Sequence, residues 1–305
     1  MQLAAELRSL TTLGMSLKSL RKLMLFSLAM VLPAAAILPS SASLQASPPS
    51  DPNKYVREIV DHELKAEETD HTHWMYRLHK EDDKGAQDRQ VIETKEGSLA
   101  KTLLINGQPL TPEQRTSDED RMKKLVSDPD ERAKREKRSK QDEEKARQLL
   151  KAIPDAFIFK YEGEDGELAR FSFTPNPHYS PPTRELSVYH AMTGKIWVNR
   201  AAMRLAMIEG KLMEDVNFGW GLLGHLDKGG TFKVVQKNVG ENHWETISLD
   251  LNMQGRAVIF KTLTIRQKQI LSDFKRVPDN LSISQAFEML HKSDASLAAV
   301  NPAGR

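Results

Sequence analysis

The chain has no cysteine among its 305 residues, which excludes a disulfide framework and a lipid-modified N-terminal cysteine. Long apolar runs are equally scarce: beyond Leu38 no segment is apolar over the length a bilayer requires. An excess of one charge sign is also missing. The whole chain carries a formal +2, and without residues 1–43 the balance is 40 basic against 41 acidic side chains. No basic field remains to attract nucleic acid, and no basic strip interleaved with aromatics is visible. Glycine fingerprints of the dinucleotide-binding kind and short internal repeats are absent too. What remains is a chain that must be stabilised by its hydrophobic core alone.

The N-terminus is unlike the rest. Lys18, Arg21 and Lys22 precede the apolar run Leu23–Leu38, and Ser40-Ser41-Ala42-Ser43 supplies small residues. That order predicts a signal peptide with leader over residues 1–46, cleaved between Ala42 and Ala46, and hence a periplasmic protein. The true start is Met1 or Met15. An uncleaved signal anchor is the alternative.

Periodicity divides the mature chain. Val56, Ile59, Val60 and Leu64 predict a helix over Tyr55–Glu68. From Thr72 the period becomes two, with Trp74, Tyr76 and Leu78 on one face and His73, Met75, Arg77 and His79 on the other. Gln87–Lys95 and Leu99–Ile105 follow as strands, the latter closing at Asn106-Gly107. Residues 47–110 thus form an N-terminal helix and first strands. Thr111-Pro112 and Asp128-Pro129 then open two helices, and residues 111–153 form an inserted charged helical arm. Within 111–151 there are 13 basic and 11 acidic residues, with Glu131/Arg135, Glu136/Lys140 and Glu143/Arg147 at i,i+4 spacing. A solvated arm is the expected reading, with a partner-docking arm as the alternative.

Residues 154–279 hold the main run of strands: Asp155–Tyr161, Glu167–Thr174, Arg184–His190, Lys195–Asn199, Arg204–Met213, Thr231–Val239, His243–Asn252, Arg256–Arg266 and Gln269–Val277. Phe157, Phe159 and Tyr161 take one face, with Ile158 on the other. Ile247, Leu249, Leu251 and Met253 lie opposite Trp244, Thr246, Ser248 and Asp250. Residues 280–305 supply a terminal helix, opened by the Ser282/Gln285 capping pattern, and a tail. Strands apolar on both faces over part of their length predict a mainly antiparallel β fold with helices, an open curved half-barrel wrapped over helices.

Chemistry-bearing groups are few. His71, His73 and His79 share a strand face, yet no third ligand stands convincingly beside them, so no metal is assigned. His178, His190, His225 and His243 are isolated in sequence. Ser187 and Ser248 lack a nucleophile elbow. The glycine-rich stretch Gly219–Gly230 lacks the ending of a phosphate loop. It reads instead as a mobile mouth loop, with Trp220, Leu222, Leu223 and Leu226 as an apolar lip or as residues folded onto their own core. No catalytic residue and no cofactor is assigned. The candidate lining of an apolar cavity is Trp74, Phe157, Phe159, Phe171, Phe173, Trp197, Met207, Met213, Trp244, Met253 and Phe260, most of them also readable as plain core.

Gly194-Lys195-Ile196-Trp197-Val198-Asn199 followed by Arg204–Leu212 resembles the strand pair of bacterial periplasmic lipoprotein-sorting and outer-membrane lipoprotein carriers. The run Gly210–Val234 is similar to an exported subgroup of that superfamily. The resemblance implies a non-catalytic periplasmic carrier or chaperone, with lipid or acylated protein as its ligand and transient membrane contact. The charged arm and the glycine-rich loop depart from the compact carrier pattern. An envelope sensor or scaffold docking a protein partner through the arm, and an exported hydrolase, are the alternatives.

Overall fold

The computed structural model describes residues 48–300 except 184, 219–223 and 258–260. The signal peptide expected over 1–46 lies outside the described residues, as do Phe260, Trp220, Leu222 and Leu223. Helix α1 spans Pro52–Thr69, with Asp51 Oδ1 accepting the Lys54 N–H at 3.0 Å as its N-cap. Strands β1 (His73–Asp82), β2 (Gly85–Thr94), β3 (Gly97–Ile105) and β4 (Gln108–Pro109) form a meander. Helix α2, Pro112–Ser127, begins at a full capping box. Thr111 Oγ1 accepts from Gln114 N at 3.3 Å, and Gln114 Oε1 accepts from Thr111 N at 2.9 Å. Helix α3, Pro129–Ala156, is capped by Asp128.

Strands β5 (Phe157–Asp165), β6 (Leu168–Pro175), β7 (Met192–Asn199) and β8 (Arg204–Leu212) make the second meander. The short pair β9 (Val216–Phe218) and β10 (Gly224–Leu226) precedes β11 (Thr231–Gly240), β12 (His243–Ala257) and β13 (Lys261–Val277). Helix α4, Ile283–Val300, ends the described chain and is opened by the reciprocal Ser282–Gln285 bonds.

All pairings are antiparallel, in the order β4-β3-β2-β1-β13-β12-β11-β8-β7-β6-β5. The sheet does not close, and it curves into a half-barrel. Strand β12 is shared along its length, its first part pairing with β11 and its last three residues with β10. Both free edges are managed. At β3, Asp118 of α2 accepts from the Thr102 N–H and hydroxyl at 2.9 Å each, while Arg121 donates to the Ala100 carbonyl. At β5, the Asn53 side chain accepts from Phe159 N at 2.9 Å and donates to the Phe157 carbonyl at 2.8 Å.

The two faces differ in chemistry. Across the outer face, the register aligns Lys195, Glu209, Lys233, Asp250, Lys268 and Glu81 in a row of alternating charge over six strands. Lys233–Glu209 closes at 2.9 Å, and each such cross-strand pair contributes about 0.2–1 kcal/mol. On the inner face, the same register aligns Phe159, Phe173, Gly194, Gly210, Phe232 and Leu251. Here Gly194 and Gly210 are direct cross-strand partners. A Cβ at Gly194 would lie 1.8 Å from the Glu209 carbonyl and 2.7 Å from Phe173; one at Gly210 would lie 2.4 Å from Phe232. The paired glycines let two aromatic rings lie over the sheet backbone.

Three sequence expectations are corrected. Arg184–His190 is not a strand: a 3₁₀ helix runs over Glu185–Ala191. Pro181-Pro182 deny the ladder its donors, and the buried Leu186 and Tyr189 recur at a spacing of three. Arg256–Arg266 and Gln269–Val277 are not separate strands with a break after Arg266. Gln267 and Lys268 keep period two, so β13 is one strand of 17 residues. Strand β5 starts at Phe157 rather than Asp155, because α3 runs beyond the expected arm limit of 153 through Ala156.

Two outcomes are expected. Gly194→Ala destabilises the fold by about 2 kcal/mol or more through overpacking, read as a lowered urea midpoint at unchanged m-value. For Asp118, burial alone would raise the carboxyl pKa, but the Arg121 and Thr102 hydrogen bonds outweigh it and hold the pKa below its ordinary value. A depressed folded pKa means this anchoring is present above the unfolded pKa and lost as pH falls through the folded one. Thr102 amide protection in hydrogen exchange therefore falls on acidification, and Asp118→Asn removes that pH dependence.

Candidate functional site

Helix α1 and the C-terminal third of α3 lie in the trough. Val56, Ile59, Val60 and Leu64 recur at i, i+3, i+4 and i+8, one helical stripe, and all are buried against the inner wall. Leu149, Leu150 and Ile153 of α3 join them. The wall itself is a linked aromatic cluster: Phe157–Phe173 centroids are 4.6 Å apart, Phe157–Phe159 6.3 Å and Tyr161–Phe171 5.5 Å. Tyr55 of α1 stacks on Phe171 at 5.7 Å. Tyr189 reaches α3 by donating its hydroxyl to the Leu149 carbonyl at 3.0 Å, and burial pushes its phenol pKa far up.

One ion pair sits inside this apolar contact. Glu63 of α1 is 6% exposed, and it accepts from Arg204 Nε and Nη2 at 2.8 and 2.9 Å and from the Leu205 N–H at 2.7 Å. The Arg204 guanidinium in turn lies 5.8 Å above the Trp244 ring. Two fork bonds and a backbone donor satisfy the carboxylate, which is what permits its burial.

The candidate lining residues separate accordingly. Phe157, Phe159, Phe171, Phe173 and Met253 are on the inner wall and are packed, not open. Trp74 is buried in a separate inner cluster with Tyr76, Leu78, Val91 and Leu271, edge-on to His243 and Phe274 at 5.8 and 6.3 Å. Trp197 and Met207 are corrected: they pair with each other, on the face of Lys195 and Arg170, which is the outer one. Trp197 Nε1 donates to Asp165 there at 3.1 Å. Met213 is 46% exposed at the end of β8 and lines nothing. Trp244 moves the other way. A bulge at Val235/Gln236 drops Ile247 from the alternation, so Trp244 faces inward with Leu249. Leu226, expected at a mouth loop, is a buried residue of β10 within the main core.

The histidines do not converge. His73 is buried at one end of β1; His79 lies near the other, bound to Asp88 at 2.9 Å, about 20 Å away at the strand rise. Among the described residues, no group of three His, Asp or Glu is placed to hold a metal ion. Likewise, no helix among them is long and apolar enough to cross a membrane.

Sequence reasoning missed the polar part of the inner wall. Gln267 and Gln269 are 5% and 3% exposed, and by register they continue inward through Asp82 and Lys80 to Gln87. Their period-two spacing was visible, but without the β1–β13 pairing nothing brought them together. Arg135, Ser139 and Asp142 of α3 recur at helical spacing on a half-buried face, while Glu136, Lys137 and Lys140 are exposed. No protein-family model matches this chain, and a search of curated proteins finds no match.

Proposed function

We propose that the protein is a non-catalytic, exported carrier that shelters apolar chains, those of a lipid or an acylated protein, in the trough now filled by α1. The observation that carries this reading is the nature of the cover. An apolar wall running from β5 to β12 is closed by helical stripes rather than by a second sheet. A helix can leave such a wall as one piece. The sheet's own ladder hydrogen bonds, its β3 edge and its outer charge row are unaffected by that departure; only the β5 edge loses its cap, Asn53.

Vacating the trough would expose Phe159, Phe171 and Phe232 together. A ligand replacing α1 needs no specific polar partner, because each methylene it buries contributes about 0.8 kcal/mol. Glu63 acts as the catch. Its bonds to Arg204 and Leu205 form only when α1 is seated, and breaking one partner of a buried pair costs about 3 kcal/mol. Ligand entry is thus opposed by a defined polar contact and favoured by apolar burial.

The test is uptake of a fluorescent fatty acid, with native mass spectrometry for co-purifying lipid. The wild-type protein is expected to take up the probe, and Glu63→Gln to take it up several-fold faster while the sheet keeps its circular dichroism. Absence of uptake and of lipid in both proteins would overturn the proposal.

A further inference from the structure

The polar part of the inner wall is built at a cost that the fold does not require. Along β13, β1 and β2 the register sets Gln269 opposite Lys80, Lys80 opposite Gln87, and Leu78 opposite Arg89. These side chains share the inner face with Leu78 and Leu271, which are buried. Lys80 is engaged by Asp82 at 2.7 Å. Two groups are left over. Gln269 is 3% exposed, yet its Oε1 has no hydrogen-bond partner among the described residues. The Arg89 Nε is buried and likewise has none; the guanidinium donates from Nη2 to Gln87 Oε1. A buried polar atom left unpaired costs about 1–3 kcal/mol.

The surroundings of Arg89 are cationic. Its cross-strand neighbour Thr102 holds Asp118, and that carboxylate is already taken by Arg121 at 2.7 Å. On α3, Arg135 meets its own Glu131 at 3.7 Å. Burial, and then the Arg121 charge, lower the Arg89 pKa from its ordinary value; Asp118 and Asp82 oppose this, and Arg135 adds to it. Burial and then Arg121 act on Arg135 in the same direction. Arg121 takes Asp118, Arg135 has Glu131 and Lys80 has Asp82, so Arg89 is the guanidinium in surplus. A surplus guanidinium is a site for an oxyanion.

We propose that this polar wall is a binding site for a hydroxyl-bearing phosphate, its oxyanion held by Arg89 and its hydroxyl donating to Gln269 Oε1. By register Arg89 and Gln269 stand two strands apart and two residues along, about 12 Å between backbones, and both side chains are long enough to reach toward one small phosphate ester. The source is either a free phosphate ester or a phospholipid headgroup. The site lies on different strands from the aromatic wall and stands whether or not acyl chains are sheltered there.

Isothermal titration of the full chain with glycerol 3-phosphate, inorganic phosphate and glycerol tests the site. Glycerol 3-phosphate is expected to bind several-fold tighter than inorganic phosphate, and glycerol not at all. Arg89→Gln weakens both phosphates at least tenfold, whereas Gln269→Leu removes only the advantage of the ester. Arg147→Gln, on the same helix but paired to Glu68, leaves binding unchanged. Thermal midpoints at or above wild type for Arg89→Gln and Gln269→Leu are expected, since each removes an unpaired buried atom. Dioctanoyl phosphatidylglycerol separates the sources: tighter binding than glycerol 3-phosphate indicates a lipid headgroup, weaker binding a free ester. Equal response of wild type and Arg89→Gln to every phosphate, or lowered midpoints for both variants without loss of binding, would overturn the proposal.

Discussion

The stripe Val56, Ile59, Val60 and Leu64 occupies the hollow of a sheet that has no second sheet to pack against, and most of the structure follows from that contact. An open sheet curving through this many strands leaves its inner aromatics wet unless something fills the concavity. The C-terminal turns of α3 complete the filling. The 3₁₀ segment then packs onto the same core through Leu186 and Tyr189. Glu63 adds direction to what apolar burial alone would leave free to slide, since its three donors come from one place, the start of β8.

From β7 through β8, β11 and β12 the sheet is charged outside and apolar inside. On β2 and β3 the outer face is dry as well, its Ile92 and Leu99 buried under Met122 and Leu125 of α2 and Ala286 and Leu290 of α4. Alternating lysines and carboxylates hold the charged part of the outer face in water without an excess of either sign. On the inner face the Gly194–Gly210 pair makes room for Phe173 and Phe232, so the wall is aromatic without being overfilled. Edge groups that would recruit other strands are taken by Asp118 and Arg121 at β3 and by Asn53 at β5. The helical arm therefore has a role beyond linking two meanders: α2 closes an edge, and the inward face of α3 lies half-buried.

Much of the architecture was legible in the chain. Period-two alternation placed Trp74, Tyr76 and Leu78 together and Ile158 outside, because strand geometry alone sets those faces. Thr111, Asp128 and Ser282 announced helix starts through side-chain chemistry that needs no tertiary partner. Alternation failed where a bulge intervened, as at Trp244, since an extra residue on one strand is defined only by the strand it pairs with. It failed for Trp197 and Met207 as well. An apolar residue on an outer face reads like a lining residue until the direction of the trough is known.

Residue order by itself determined the helix caps, most of the strand segments, the alternation where no bulge intervenes and the charged character of the arm. These are local, set by backbone sterics and by side chains a few positions apart. Tertiary pairing decided which wall faces inward, that α1 fills it, and that Glu63 meets Arg204 across 141 positions. It also decided that Arg89, Lys80 and Gln269 share one polar wall, which no local rule links. Side chains brought together by the strand register and not by chain proximity carry the distinctive chemistry of this protein, because only the full set of antiparallel pairs assigns each residue its neighbours.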